Sequence, residues 1–275
     1  MIRKKLFSGL CLVVSLFLLA TCPARAQESS AESSNSGDDA RALLNKTADF
    51  LSKAGQFSVT IRAGYDAVQE SGQKIEFGEI RKVTLRRPDR FRSDIERSDG
   101  EKGLAIFDGK DIIIFNEKDK VYAKASGPGD LDSAVTYLLK DLGIPLPLAM
   151  MYLSRLPLEI ESRVRSVETV EQTTIMDVPC VQLAARTDDV DFQIWVPSKG
   201  DPLPRRIVIT YKHEKGQPQF WANLSDWNLS PNPSDQLFTF VPPEDARQIP
   251  FLAQIASSVP EPAKKKPQAK KGGNK

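Results

Sequence analysis

The chain has 275 residues, 27% of them charged, with 38 Lys and Arg against 36 Asp and Glu. Four of those cations lie in the first 26 positions and six at or after Lys264, where no acid occurs, so residues 27–263 carry 28 cations against 36 acids, a net of −8. An acidic globular part excludes a nucleic-acid-binding surface on it, and Cys180, its one cysteine after Cys11 and Cys22, excludes an internal disulfide and leaves a hydrophobic core to hold the fold.

The chain opens with Arg3, Lys4 and Lys5, an apolar run of about 15 residues and Ala24-Arg25-Ala26, the pattern of a secretory signal peptide over residues 1–26 cut between Ala26 and Gln27. The run is shorter than the roughly 20 residues that a membrane-spanning helix needs. An alternative is a lipobox at Leu19-Ala20-Thr21-Cys22, which would leave a lipidated Cys22 as the first residue. Both readings place the protein outside the cytoplasm. Residues 27–38, "QESSAESSNSGD", are polar and Ser-rich, so a disordered leader is expected there.

The globular domain is expected over residues 39–256. "DDARALLNKTADFLSKAG" sets Leu43, Leu44, Thr47, Phe50 and Leu51 at helical spacing, with Asp38 or Asp39 as N-cap and Gly55 as the stop. From Phe57 the period changes to two. Phe57, Val59, Ile61, Ala63 and Tyr65 share one face of a strand, and a hairpin turn at Gly72 returns the chain through Phe77 towards "LRRPDRF". Short strands follow at Phe91–Ile95, Gly103–Phe107, Asp111–Phe115 and Val121–Ala123, separated by Asp-Gly and Lys-Asp turns. Consecutive strands without helical crossovers make an antiparallel meander.

The pattern then breaks into a helical insertion. Asp130 caps a helix carrying Leu131, Val135, Leu138, Leu139 and Leu142, and a second apolar helix, Leu146 to Leu153 with Met150, follows Pro145. The meander resumes with candidate strands Val164–Thr173, Val178–Ala185, Phe192–Val196, Arg206–Tyr211, Gln219–Asn228 and Phe238–Phe240. Ile207, Ile209 and Tyr211 share a face; Phe220, Ala222, Leu224 and Asp226 alternate with Trp221, Asn223, Ser225 and Trp227. One sheet of about 11 strands must curl, which makes a concave face that only the helices remain to cover. Residues 257–275 form a Lys- and Pro-rich tail expected to be disordered.

Catalytic patterns are weak. His213, the one histidine, sits in the turn "YKHEKGQP", whereas a triad needs a buried, oriented imidazole. His213 and Cys180 do not make a zinc set. "TDDVDF", with Asp188, Asp189 and Asp191, lacks the Gly and distal Glu of a calcium loop and reads as a charged turn. Arg86, Arg87, Arg90 and Arg92 around Pro88 suit a phosphate grip by type, but a charged strand corner paired with acids is the simpler reading. No metal or cofactor is expected, and no catalysis.

Five phrases occur in order: "LRRPDRFR" (Leu85–Arg92), "FDGKDIIIFNEKDKVYAK" (Phe107–Lys124), "DFQIWVPSKGDPLPRRIVITYK" (Asp191–Lys212), "LSDWNLSP" (Leu224–Pro231) and "FTFVPPEDA" (Phe238–Ala246). Together they resemble a family of predicted periplasmic proteins defined as a domain of unknown function, itself similar to the LolA/LolB lipoprotein carriers. That resemblance implies a periplasmic, curved antiparallel half-barrel of α+β class, with helices over its concave face. It also implies acyl-chain holding without catalysis. No counterpart of the apolar membrane loop of LolB-type proteins is found.

The expected ligand is a lipid acyl chain or lipoprotein anchor. Candidate lining residues are Phe57, Val59, Ile61, Tyr65, Phe77, Phe91, Ile194, Ile209, Phe220 and Leu224, under lid residues Leu43, Phe50, Leu138, Leu139 and Met150. The six lysines between Lys264 and Lys275 suit an anionic membrane surface or an acidic envelope protein. The alternative is an envelope interaction module in which the sheet face is ordinary core.

Overall fold

The computed structural model describes residues 29–127, 129–144 and 146–251. The expected signal cleavage at Ala26 and Gln27, the alternative lipidation at Cys22 and the Lys264–Lys275 tail all lie outside these residues. Helix α1 (Ser29–Lys53) starts upstream of the expected cap at Asp38 or Asp39. Its buried stripe runs through Ala40, Leu44, Thr47, Ala48 and Leu51, one helical face at spacings of three and four. Leu43 and Phe50 flank that stripe, half-buried against the same core.

Among the described residues, twelve strands form one sheet: β1 (Gln56–Val68), β2 (Lys74–Arg86), β3 (Arg90–Arg97), β4 (Lys102–Phe107), β5 (Asp111–Asn116), β6 (Val121–Ser126), β7 (Ser166–Ile175), β8 (Val178–Arg186), β9 (Val190–Pro197), β10 (Arg206–Tyr211), β11 (Gln219–Asn228) and β12 (Arg247–Ile249). Their spatial order is β12-β6-β5-β4-β3-β2-β1-β11-β10-β9-β8-β7. Every pairing is antiparallel except β12 on β6. The sheet is curved and does not close, because β12 and β7 stand at opposite edges.

This order is two meanders joined back to back at β1 and β11, and it decides where the helical insertion must lie. Strand β6 ends near one edge and β7 begins at the other. The connection between them, α2 (Leu131–Lys140), a 3-10 turn (Ala149–Tyr152) and α3 (Leu156–Arg163), therefore has to cross the sheet. Its apolar side chains hold it on the concave side: Leu131, Ala134, Val135, Met151, Tyr152, Leu156 and Ile160 are buried in the same core as Phe57, Leu85, Leu183 and Leu224. Large side chains buried in this way each contribute on the order of 1.5–3 kcal/mol. The expected second helix, Leu146 to Leu153, is only the short 3-10 turn, and the helical residues resume at Leu156.

Two expectations are corrected. Phe238–Phe240 is not a strand; the segment ends a 3-10 turn (Asp235–Phe238), and the last strand is Arg247–Ile249. Pro231, Pro233, Pro242 and Pro243 around it remove the donors a ladder needs. Its rings are used instead as plugs: Phe238 lies under Arg86 at 5.4 Å, and Phe240 packs between Phe115 and Tyr122. The second correction concerns β11. Opposite Thr60 and Ser58 of β1 stand Ser225 and Asn228, so the register slips there. Asp226 sits at the slip with a φ of 54°. This bulge turns Trp227 onto the inner face, where its ring meets Phe57 at 5.5 Å and its Nε1 donates to Pro204 O at 3.1 Å.

The convex face carries a smaller cluster of Cys180, Trp195 and Val208, with Trp221 packed on it. Arg206 lies over the rings of Trp195 and Trp221 at 5.6 and 5.5 Å. Gly64 makes room for this layer, since a Cβ there would meet the Trp221 indole at 2.6 Å.

Candidate functional site

Between the sheet and the elements crossing it lies a cavity of about 470 Å³. Its floor is the inner face of β9 and β10: Val190, Phe192, Ile194, Ile207, Ile209 and Tyr211. Leu44, Thr47, Ala48 and Leu51 of α1 and residues Leu146–Met151 form the roof, and Leu156 and Ile160 of α3 close a side. Of the α1 residues lining the cavity only Thr47 is polar, and its Oγ1 is already used, donating to Leu43 O at 3.1 Å. Tyr211 is the polar tip of the floor, and burial pushes its phenol pKa up.

Charge is confined to the rim. Glu159, Arg163, Arg165, Asp188 and Asp189 line the opening. Glu159 accepts from Arg155 Nε at 2.9 Å and Arg163 Nε at 2.7 Å, and the Arg155 bond leads in holding its carboxyl below the usual range. Arg165 Nε donates to Asp188 Oδ1 at 3.1 Å, joining the start of β7 to the β8–β9 turn. That bond likewise keeps the exposed Asp188 carboxyl low. The "TDDVDF" turn is therefore part of this rim, a place that turn chemistry alone does not reveal. His213, exposed in the next hairpin, reaches Asp188 O with Nε2 at 2.9 Å. The arrangement can exclude water from an aliphatic ligand and hold the opening in shape; the rim carboxylates that titrate off their usual values are bonded to arginines and not poised for proton transfer.

Leu43 and Phe50 pack half-buried against the core beside the α1 stripe, and the other predicted site residues divide into four groups. Ile194 and Ile209 line the cavity floor, and Leu139 and Met150 its roof. Phe91 and Leu138 line a separate void of about 50 Å³ under α2, beside Tyr152. Phe57, Val59, Ile61, Phe220 and Leu224 lie on the same concave face but are packed core, each at most 3% exposed. Tyr65 and Phe77 are open to solvent, 40% and 43% exposed, and stacked on one another at 6.0 Å. Val190, Phe192, Ile207 and Tyr211 belong with Ile194 and Ile209; period-two spacing from those two positions marks them all.

The lid is pinned from the β2–β3 corner. Arg87 donates from Nε to Ala54 O at 3.1 Å and from Nη1 to Tyr152 O at 2.8 Å, while its backbone N–H donates to Gly55 O at 2.8 Å. Its neighbours are occupied too: Arg86 bonds Pro233 O and Asp235, and Arg92 bonds Asp94 and Leu237 O. The arginine cluster is a structural corner whose donors are bound within the chain.

No curated protein sequence matches this chain. Among solved structures, an uncharacterized conserved protein from Thermus thermophilus is similar at 12% identity and a TM-score of 0.45, covering 77% of this chain and 99% of that one. The lipoprotein LppX of Mycobacterium tuberculosis is similar at 11% identity and 0.44, covering 70% and 96%. A LolA superfamily protein from Nitrosomonas europaea is similar at 14% identity and 0.37, covering 73% and 97%. By sequence, residues 40–252 match the family described as "Predicted periplasmic protein (DUF2092)", and the chain belongs to that family.

Proposed function

We propose that this protein is a periplasmic, non-catalytic binding protein that holds the aliphatic chain of a lipid or lipoprotein anchor between its sheet and its lid. The observation that carries the reading is the cavity itself. At about 470 Å³ it falls within the size range of small-molecule sites, roughly 300–1,000 Å³, and has their usual form of an apolar interior with few polar groups. Dispersion and water exclusion are what such a lining offers, and a saturated chain is the ligand that asks for nothing else. In this reading the chain is exported by the residue 1–26 signal peptide, with lipidation at Cys22 as the alternative, and the tail lysines hold the acidic domain near anionic envelope surfaces.

The test is native mass spectrometry of the purified chain with palmitate or phosphatidylglycerol, alongside displacement of an apolar dye. One molecule should bind per chain. Ile209→Trp, which fills the floor from β10, should abolish binding while leaving the unfolding transition in place. Unchanged uptake by that variant, or no uptake by the wild type, would overturn the proposal. Partner capture that depends on the tail, with no lipid uptake, would instead favour the interaction-module reading.

A further inference from the structure

The void under α2 touches the main cavity at one side chain. Phe91, Ala105, Leu138 and Tyr152 are among the residues that line it, all apolar but for the tyrosine hydroxyl. Leu146 is the one residue common to this lining and that of the main cavity. It is half-buried, packed against the core and not within it. On α2 the neighbours Leu138 and Leu139 divide between the two spaces, Leu138 bordering the void and Leu139 the cavity. Leu148, two residues beyond Leu146 and also in the cavity lining, has a φ of 64°, left-handed and strained for a leucine. Backbone strain of this kind clusters where ligands are clamped.

We infer that the void is a subsite for the end of the acyl chain, entered past Leu146 by rotation of that side chain. The inference rests on the proposed function and deepens it: the void sets a preference for chain length. A dry apolar cavity of about 150 Å³ takes a benzene ring, so each carbon needs about 25 Å³. On that scale the main cavity of about 470 Å³ holds a chain of about 19 carbons, and the void of about 50 Å³ holds about two more. A longer chain puts its end in the void or leaves it in water at the mouth, and each methylene kept from water strengthens binding about fourfold. The occupant is a methyl end and not a headgroup, because no charged side chain borders the void.

The experiment compares palmitate, short enough for the main cavity alone, with the longer arachidate, by dye displacement from the full chain. The wild type should bind arachidate more tightly. Ala105→Val adds two methyl groups to the void from β4, outside the lining of the main cavity. It should leave palmitate affinity unchanged, weaken arachidate about tenfold, and hold or raise the unfolding temperature, as filling of empty space does. Leu146→Ala, which removes the partition, should raise the affinity for arachidate relative to palmitate. A wild type that binds arachidate no better than palmitate, or an Ala105→Val variant without selective loss of arachidate, overturns the subsite and leaves the main cavity as the site. If Ala105→Val lowers the unfolding temperature, Leu146→Ala decides alone, and an unchanged ratio overturns the subsite. Failure of the wild type to bind either acid overturns the cavity reading, and this inference with it.

Discussion

Arg87 shows how one side chain can hold a lid in place. Its guanidinium and backbone N–H satisfy the carbonyls of Ala54, Gly55 and Tyr152, and Asp132 Oδ1 stands 3.9 Å away. Burial lowers the Arg87 pKa and Asp132 partly offsets this, yet an arginine stays charged at any working pH. Arg87→Met should cost on the order of 3 kcal/mol, since it strands the part-buried carbonyls of Ala54 and Tyr152, while Asp132 keeps its bonds from Ser154; the urea midpoint reads this directly. Arg87→Lys should not restore it, because one ammonium cannot reach acceptors on both sides of a planar fork. Tyr152, fully buried beside Phe91, is the second sensitive residue. Desolvation pushes its phenol up to about 12 from 10.0. Above pH 10 the unfolded chain loses this proton while the folded one keeps it. Its contribution is therefore complete below pH 10 and is lost as pH rises towards 12. The loss is on the order of 2 kcal/mol, and Tyr152→Phe should show less alkaline destabilisation than the wild type in parallel urea titrations. The Arg-rich corner is legible as a corner in "LRRPDRFR", but the carbonyls it binds lie on distant segments and leave no local mark.

Strand β11 reverses its own alternation partway along. Alternation assigns Trp227 to the outer face, and it holds through Phe220, Ala222 and Leu224, all buried. The bulge at Asp226 then inverts it. A left-handed φ of 54° is tolerated by Asp and free for Gly, but strained for a β-branched residue. Asp226→Val should accordingly lower stability by about 1–3 kcal/mol, whereas Asp226→Gly should stay near wild type; thermal unfolding of the pair separates backbone strain from loss of the carboxylate. If the two variants unfold alike, the bulge is not what places Trp227. Helix α1 needs no such correction. Its stripe was readable because helical spacing repeats over several turns, and a single bulge has no period to read.

At the scale of the molecule, the cavity follows from topology. Because β6 and β7 belong to opposite halves of the sheet, the segment linking them must bridge the concave face, and a bridge of two short helices and a 3-10 turn does not fill a trough this wide. The space it leaves beside α1 and α3 is the cavity. Charge acts at the same scale: an acidic body with six lysines after Pro260 should associate with anionic vesicles through the tail, each lysine contributing about 1 kcal/mol near the surface. Truncation after Pro260 should abolish vesicle co-sedimentation, which in the full chain should also fade with added salt, and leave lipid uptake intact. Salt-independent association of the truncated chain would show that the body, not the tail, carries the contact.

The amino-acid sequence by itself determined the strand meander, the helix ahead of it, the helical insertion and the family, because each is written in local periodicity, turn residues or contiguous phrases. The same alternation set Phe57 and Leu224 each on an apolar strand face. Only the tertiary structure decided that these two are solid core while Ile194 and Ile209 border open space, since burial on a curved sheet depends on where the lid happens to rest above each strand. Open space is a relation between elements far apart along the chain, and no spacing within one strand encodes it.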